Sequence, residues 1–202
     1  MCPVGVSSSN CDIVLTRSTG LETIRDSIAY PTRVRSAGTL VAFTVGVAKL
    51  SSSAATTHQE IANLDATYGG VAMAGITVLK PRPGKNLNRN YTVVTEGPMV
   101  HLQPYLGYVV QFPLATPIPV VPGELIALTV PTWAPVLTYN LSTKQFAYRQ
   151  SRTANCAHAG HYQNAQLTVG QTHDYTCDYA GTRVEYNATE ITTPPTPKNY
   201  VH

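Results

Sequence analysis

The sequence predicts an all-β, jelly-roll-like antiparallel β-sandwich in a single domain with disulfides. Short runs of β-branched and aromatic residues recur, separated by Pro and Gly turn signals about every 8–12 residues. Charged residues make up only 12% of the chain, well below the usual quarter, and Ser, Thr, Gly, Pro and Tyr take their place. The stretch from Tyr105 to Tyr139 (YLGYVVQFPLATPIPVVPGELIALTVPTWAPVLTY) reads as strands cut apart by prolines, and it holds the single Trp. A chain of 202 residues suits one domain and buries enough surface to fold without a metal.

The elements follow in order. Residues 1–11 form a Cys-anchored polar lead, and residues 12–191 the sandwich. Residues 192–202 (TTPPTPKNYVH) form a Pro/Thr-rich extended tail. Asp12 to Thr16 is a short strand. Leu21 to Tyr30 (LETIRDSIAY) fits one helical face, but the β-branched Thr23, Ile24 and Ile28 favour an extended edge segment. Thr39 to Lys49 is a clear strand with Val41, Phe43, Val45 and Val47 as its bulky inward set and Gly46 as a bulge. Ser51 to Leu64 reads as a loop with one helical turn near Gln59–Leu64, and Thr67 to Gly70 as a turn. Val71 to Lys80, Tyr91 to Thr95 and Met99 to Gln103 are strands.

The organising stretch comes next. Pro117 and Pro119 remove ladder donors after a strand at Tyr108–Ala115. Val120-Val121-Pro122-Gly123 has type II turn chemistry. Along Glu124 to Val130, Leu125, Ala127 and Thr129 point one way, and Glu124, Ile126, Leu128 and Val130 the other. Both sets are mostly apolar, which predicts a central strand covered on both faces and ended by Pro131. Strands at Leu137–Leu141, Phe146–Arg149, Gln166–Val169 and Arg183–Thr189 complete the set.

The candidate chemistry is sparse. Four cysteines, Cys2, Cys11, Cys156 and Cys177, read as two disulfides. Local pairing is the simplest of three connectivities. Cys156, His158, His161, His173 and Cys177 also carry enough ligands for a tetrahedral zinc site. Their spacing matches no zinc module, and a disulfide would remove both thiolates, which leaves His158, His161 and His173 as weak metal candidates. Three N-x-[ST] sequons offer candidate glycosylation sites at Asn90, Asn140 and Asn187. Trp133 sits between Pro131 and Pro135, either plugging the core or offering a ligand-stacking face. Tyr162, Tyr175, Tyr179, Tyr186 and Tyr200 are expected to be exposed, and Tyr162, Tyr175 and Tyr179 join Trp133 as candidate stacking residues for glycans. Arg82 to Arg89 is the densest basic loop.

Several classes are disfavoured. There is no nucleophile elbow, H-E-x-x-H, phosphate loop or EF-hand loop, and no cofactor is expected. Carboxylates are few, and Asp174 and Asp178 alone suggest a glycosidase-like pair. A net charge of +3 without a basic stripe argues against nucleic acid. No apolar run of about 18 residues predicts a membrane span. No signal-peptide-like leader opens the sequence, so a secreted protein would appear here in its mature form.

Two segments, TGLETIRDSIAYPTRVRSAGTLVAFTVGVAK and VVPGELIALTVPTWAPVL, the latter followed by a late Cys…Cys pair and RVEYNAT, resemble secreted bacterial β-sandwich proteins of the actinobacterial type. That family has no assigned activity. The resemblance implies fold and an extracellular setting, and it transfers no functional residues. Two functions remain as expectations. One is a non-enzymatic, self-associating subunit of an extracellular filament or coat, held by extended termini. The other is a carbohydrate-binding module.

Overall fold

A computed structural model of the chain describes residues 14–82, 89–154, 156 and 162–192. Cys2, Cys11, His158, His161, Tyr200 and residues 193–202 of the tail lie outside the described residues, as does Lys85 in the basic loop. The fold is an all-β antiparallel sandwich with one helix laid across it. Its strands are β1 (Val14–Arg25), β2 (Ile28–Ala29), β3 (Gly38–Gly46), β4 (Met73–Pro81), β5 (Asn90–Glu96), β6 (Val100–His101) and β7 (Val109–Val120). They continue as β8 (Leu125–Pro135), β9 (Leu137–Thr138), β10 (Phe146–Gln150), β11 (Thr172–Asp174), β12 (Cys177–Ala180), β13 (Arg183–Val184) and β14 (Tyr186–Thr192). The helix α1 spans Ala54–Tyr68.

The large sheet runs β11-β5-β4-β8-β1-β10-β12, with β2 beside β1 and β6 beside β4. The small sheet runs β14-β3-β7. β8 sits at the middle of the large sheet, as its two apolar faces predict. Ile126, Leu128 and Val130 enter the core between the sheets with Phe43, Val45 and Ile118. Leu125 and Ala127 enter a second cluster on the opposite face, with Leu21, Leu79, Tyr91, Val93 and Tyr175. Thr129 follows Ala127 on that face. Its hydroxyl bonds Thr19 Oγ1 at 2.8 Å and Thr77 Oγ1 at 2.6 Å, so three adjacent strands satisfy one another's buried hydroxyls.

Several boundaries differ from the sequence reading, each for a local reason. Neither β7 nor β8 stops at its internal prolines. β7 continues through Pro113, Pro117 and Pro119, and β8 through Pro131. β7 is an edge strand. Val47 N–H donates to Tyr108 C=O at 2.9 Å, so by alternation the backbones of Val109, Gln111 and Pro113 turn away from β3. A missing N–H there breaks no ladder bond. Pro131 lies opposite an irregularity at Arg17, where the β1–β8 register shifts. Arg17 adopts φ 41°, and its Nε donates to the Tyr68 carbonyl at 3.1 Å, at the carbonyl-rich end of α1.

The β3 irregularity also falls elsewhere than at Gly46. Register shifts at Val41 against both neighbours, between Leu40 and Ala42. Leu40 therefore joins Phe43 and Val45 in the core, and Val41 is half-buried. The segment Leu21–Tyr30 is extended, as its β-branched residues favour: β1 and β2 form a hairpin turning at Asp26 and Ser27, both at positive φ. Gln166–Val169 is irregular rather than a strand. Gln166 is buried, and its Nε2 donates to the Tyr91 and Gln171 carbonyls while its Oε1 accepts from Tyr175.

The helix was the largest omission of the sequence reading. Ser53 caps it, its hydroxyl accepting from Thr56 N–H. Gly69 ends it at φ 79°. Ile61, Leu64 and Tyr68 rest against the core, but no helix residue is fully buried. Asp65 is its main polar tie. Trp133, wholly buried in β8, donates its indole N–H to Asp65 Oδ1 at 2.8 Å. Gln103 Nε2 reaches both Asp65 oxygens at 3.1 Å. Trp133 is therefore a core plug, not a stacking platform.

Asp65→Ala would leave a buried indole N–H without an acceptor, with an expected loss of about 1–3 kcal/mol in urea unfolding. A midpoint equal to that of the parent protein would show that α1 docks without this carboxylate.

Candidate functional site at the seam between the sheets

Glu22 is the most unusual ionisable group among the described residues. β1 carries it on the face opposite Leu21, toward the small sheet, and it is fully buried. Arg25 Nη1 lies 3.0 Å from Glu22 Oε2, and Arg183 Nε lies 3.7 Å from Oε1. Arg183 also approaches Glu185 at 3.3 Å, and Glu185 accepts from Thr138 Oγ1 at 2.8 Å. Tyr186 closes the cluster. Its hydroxyl accepts from Glu22 N–H at 3.4 Å and donates to the Ile126 carbonyl at 2.8 Å. Burial outweighs the attraction of Arg25 and Arg183 and pushes the Glu22 carboxyl up to about 8. Burial likewise raises the Tyr186 phenol.

Beyond Tyr186 lies a cavity of about 100 Å³ at the open edge of the sandwich. It is lined by Pro31–Val34, by Leu40 and Ile126, and by Asn187, Ala188 and Glu190 at β14. A wider depression of about 250 Å³ lies at the start of α1, with Lys49, Ser51, His58 and Leu106 among its residues. Glu22 lines neither space, so its perturbed carboxyl faces no substrate route in them.

The residues singled out from sequence scatter across the fold. Cys156 and Cys177 form a disulfide, with Cα atoms 5.2 Å apart. His173 is half-buried, one ring nitrogen at 3.0 Å from Gln171 Nε2 and the other at 3.3 Å from the Ser151 carbonyl. Among the described residues no three His, Cys, Asp or Glu side chains group as metal ligands. Tyr175 is fully buried, meets Tyr91 edge-on at 4.9 Å and bonds Gln166. Tyr186 is buried as well. Both correct the expectation of exposure, because these phenols satisfy buried polar groups from within. Tyr179 stacks on Tyr148 at 4.9 Å and donates to the Cys156 carbonyl, so one of its faces is occupied. Tyr162 alone of the four stacking candidates is widely exposed, at 71%.

The sequons differ in access. Asn90 donates its amide to Asp174, and Arg149 pairs with Asp178, so both members of the sequence-suggested carboxylate pair are already engaged. Asn140 is exposed at φ 55° just beyond β9, and Asn187 is exposed on β14. Among the described residues no helix is long and apolar enough to cross a membrane. The Glu22 cluster had no signal in sequence, since it joins Glu22 and Arg25 of β1 to residues as far along the chain as Tyr186, 164 positions from Glu22. Comparison with protein-family models, with curated proteins and with solved structures finds no match to this chain.

Two outcomes follow from this geometry. Below about pH 4.5 the Glu22 carboxyl is protonated in both folded and unfolded chains; up to about pH 8 the folded chain keeps a proton the unfolded one has lost. Stability should therefore fall as pH rises through that window, with a limiting slope of about 1.4 kcal/mol per pH unit, and then level off. Glu22→Gln should remove this component, so the stability difference between variant and parent should grow from pH 5 to 8 in thermal melts. A constant difference would mean Glu22 is ionised throughout. Separately, Cys156→Ser with Cys177→Ser should lower stability by about 3 kcal/mol in denaturant unfolding, from release of the closed loop.

Proposed function

We propose that the protein is a non-enzymatic extracellular subunit that self-associates into a surface assembly. The observation that carries this reading is the outward face of the small sheet. Val109, Gln111 and Pro113 of β7, Thr39, Ala42 and Thr44 of β3, and Asn187, Thr189 and Ile191 of β14 share that face by strand alternation. None of these nine side chains is charged; Glu185, beside Gly46 at the end of the face, is paired with Arg183. Val109 is 67% exposed and Ile191 62%. Exposed sheet faces and edges are usually protected by charge, and this one is not.

The two edges of the sheet are unlike each other. Proline protects β7 along its second half, whereas β14 has no proline and leads directly into the C-terminal segment. The β14 edge is the one suited to strand addition from a second copy. The disulfide Cys156–Cys177 and the low charge support an oxidising, extracellular setting, as does the resemblance to secreted bacterial sandwich proteins. Neutral meets neutral across such a contact, so no buried charge opposes it.

Light scattering and negative-stain microscopy of the intact chain without reductant test the proposal. The expected result is large regular assemblies that Thr189→Lys with Ile191→Lys disperses to monomer, both lysines being placed on the exposed face where the fold tolerates them. A parent protein that stays monomeric at every concentration, or assemblies indifferent to the two lysines, would overturn it.

A further inference from the structure

We propose that the cavity beside β14 binds the hydroxyl edge of a hexopyranose, the ring of a saccharide chain standing partly outside it. Its lining supplies opposite hydrogen-bonding needs. Glu190 lines the cavity with its carboxylate group, whose Oε1 is turned into the protein without a hydrogen-bond partner. That oxygen lies against Gly38, where an added Cβ would stand 2.5 Å from it and 2.7 Å from the Ile191 carbonyl. Arg33 also lines the cavity and is exposed, and among the described residues its guanidinium pairs with no carboxylate. Glu190 needs a donor and Arg33 an acceptor. A simple cation would meet the Arg33 charge, and a simple anion the Glu190 charge.

Neighbouring hydroxyls meet both needs, because each one donates and accepts. The apolar lining suits the rest of a sugar. Val34, Leu40 and Ile126 are buried and present apolar surface to ring C–H groups. Thr32 and Asn187 also line the space. The volume of about 100 Å³ equals roughly three waters of liquid, which is the edge of one ring rather than a whole oligosaccharide. This places carbohydrate contact away from Trp133 and Tyr175, whose rings are buried. It meets the proposed assembly face only at Asn187: Glu190 and Ala188 face inward from β14, whereas Thr189 and Ile191 face out.

Equilibrium dialysis of the full chain against radiolabelled D-glucose, D-galactose and D-mannose tests this in any state of assembly. At least one sugar should bind at one equivalent, with a Kd on the order of 1–50 mM for so small a contact. Glu190→Gln and Arg33→Ala should each weaken that binding by about tenfold while circular dichroism stays that of the parent. Thr189→Lys should bind as the parent does. No binding of any of the three sugars up to about 100 mM would overturn the proposal. So would binding that survives both cavity substitutions, or displacement of the sugar by equimolar glycine, which would mark a zwitterion site instead.

Discussion

Burial of β8 on both faces is the constraint from which most of the structure follows. A strand covered on both sides cannot alternate apolar with polar, so Leu125 to Val130 is apolar except at Thr129. The small sheet covers one face, through Phe43, Val45 and Ile118. The other is covered by a layer built from Tyr91, Tyr175 and the irregular segment around Gln166. That second layer accounts for two of the buried tyrosines, Tyr91 and Tyr175. A phenol brings a large apolar area and one hydroxyl, and here Tyr175 spends its hydroxyl on Gln166, which in turn closes the carbonyls of Tyr91 and Gln171. Burial raises the Tyr91 and Tyr175 phenols, so they remain neutral hydrogen-bonding groups at any ordinary pH.

The same constraint sets the polar interior. Where β1, β8 and β4 run side by side, Thr19, Thr129 and Thr77 bond one another. Ser151 Oγ accepts from Thr19 N–H at 2.8 Å and donates to the Asn164 carbonyl at 2.6 Å. A chain of satisfied hydroxyls of this kind fixes strand register more firmly than apolar contact alone, because a slip of one residue would orphan each member at once. Glu22 is the exception: it is buried by position on β1, not by need of the core, and two arginines are held beside it without restoring an ordinary carboxylate pKa.

How much of this was legible in sequence depends on the range of the interaction concerned. The two-faced character of β8 was written in its alternation, and the Pro122-Gly123 turn in its residue types; Gly123 sits at φ 94°. The disulfide pair Cys156–Cys177 was consistent with spacing alone. The reach of β7 and β8 through proline was not legible, because it depends on which side of each strand has a neighbour. The helix had local signals in Ser53, Ala54, Ala55 and Gly69, but Ile61, Leu64 and Tyr68 make too thin an apolar stripe to stand out among threonines. Asp65 gives that stripe its anchor, and nothing in sequence links Asp65 to Trp133. The candidate site was the least legible part, since Arg33, Leu40, Ile126 and Glu190 border one cavity only through the packing of four separate segments.

β14 joins these features. Its inward residues, Tyr186, Ala188 and Glu190, close the Glu22 cluster and wall the cavity, whereas Asn187, Thr189 and Ile191 face outward on the uncharged surface. Side-chain alternation along one strand thus divides two surfaces about one backbone apart. The irregularity at Val41 preserves that division, since the extra residue is absorbed on β3 and the alternation of β14 runs unbroken from Tyr186 to Ile191. A substitution on the outward set leaves the carboxylate of Glu190 untouched, and one at Ala188 or Glu190 alters the cavity without adding charge to the exposed face. Because Tyr186 bonds both the Glu22 backbone and the Ile126 carbonyl, displacement of β14 would break the seam between the sheets. A strand added to its outer edge, which no described strand pairs, would instead leave that seam, and everything packed behind it, in place.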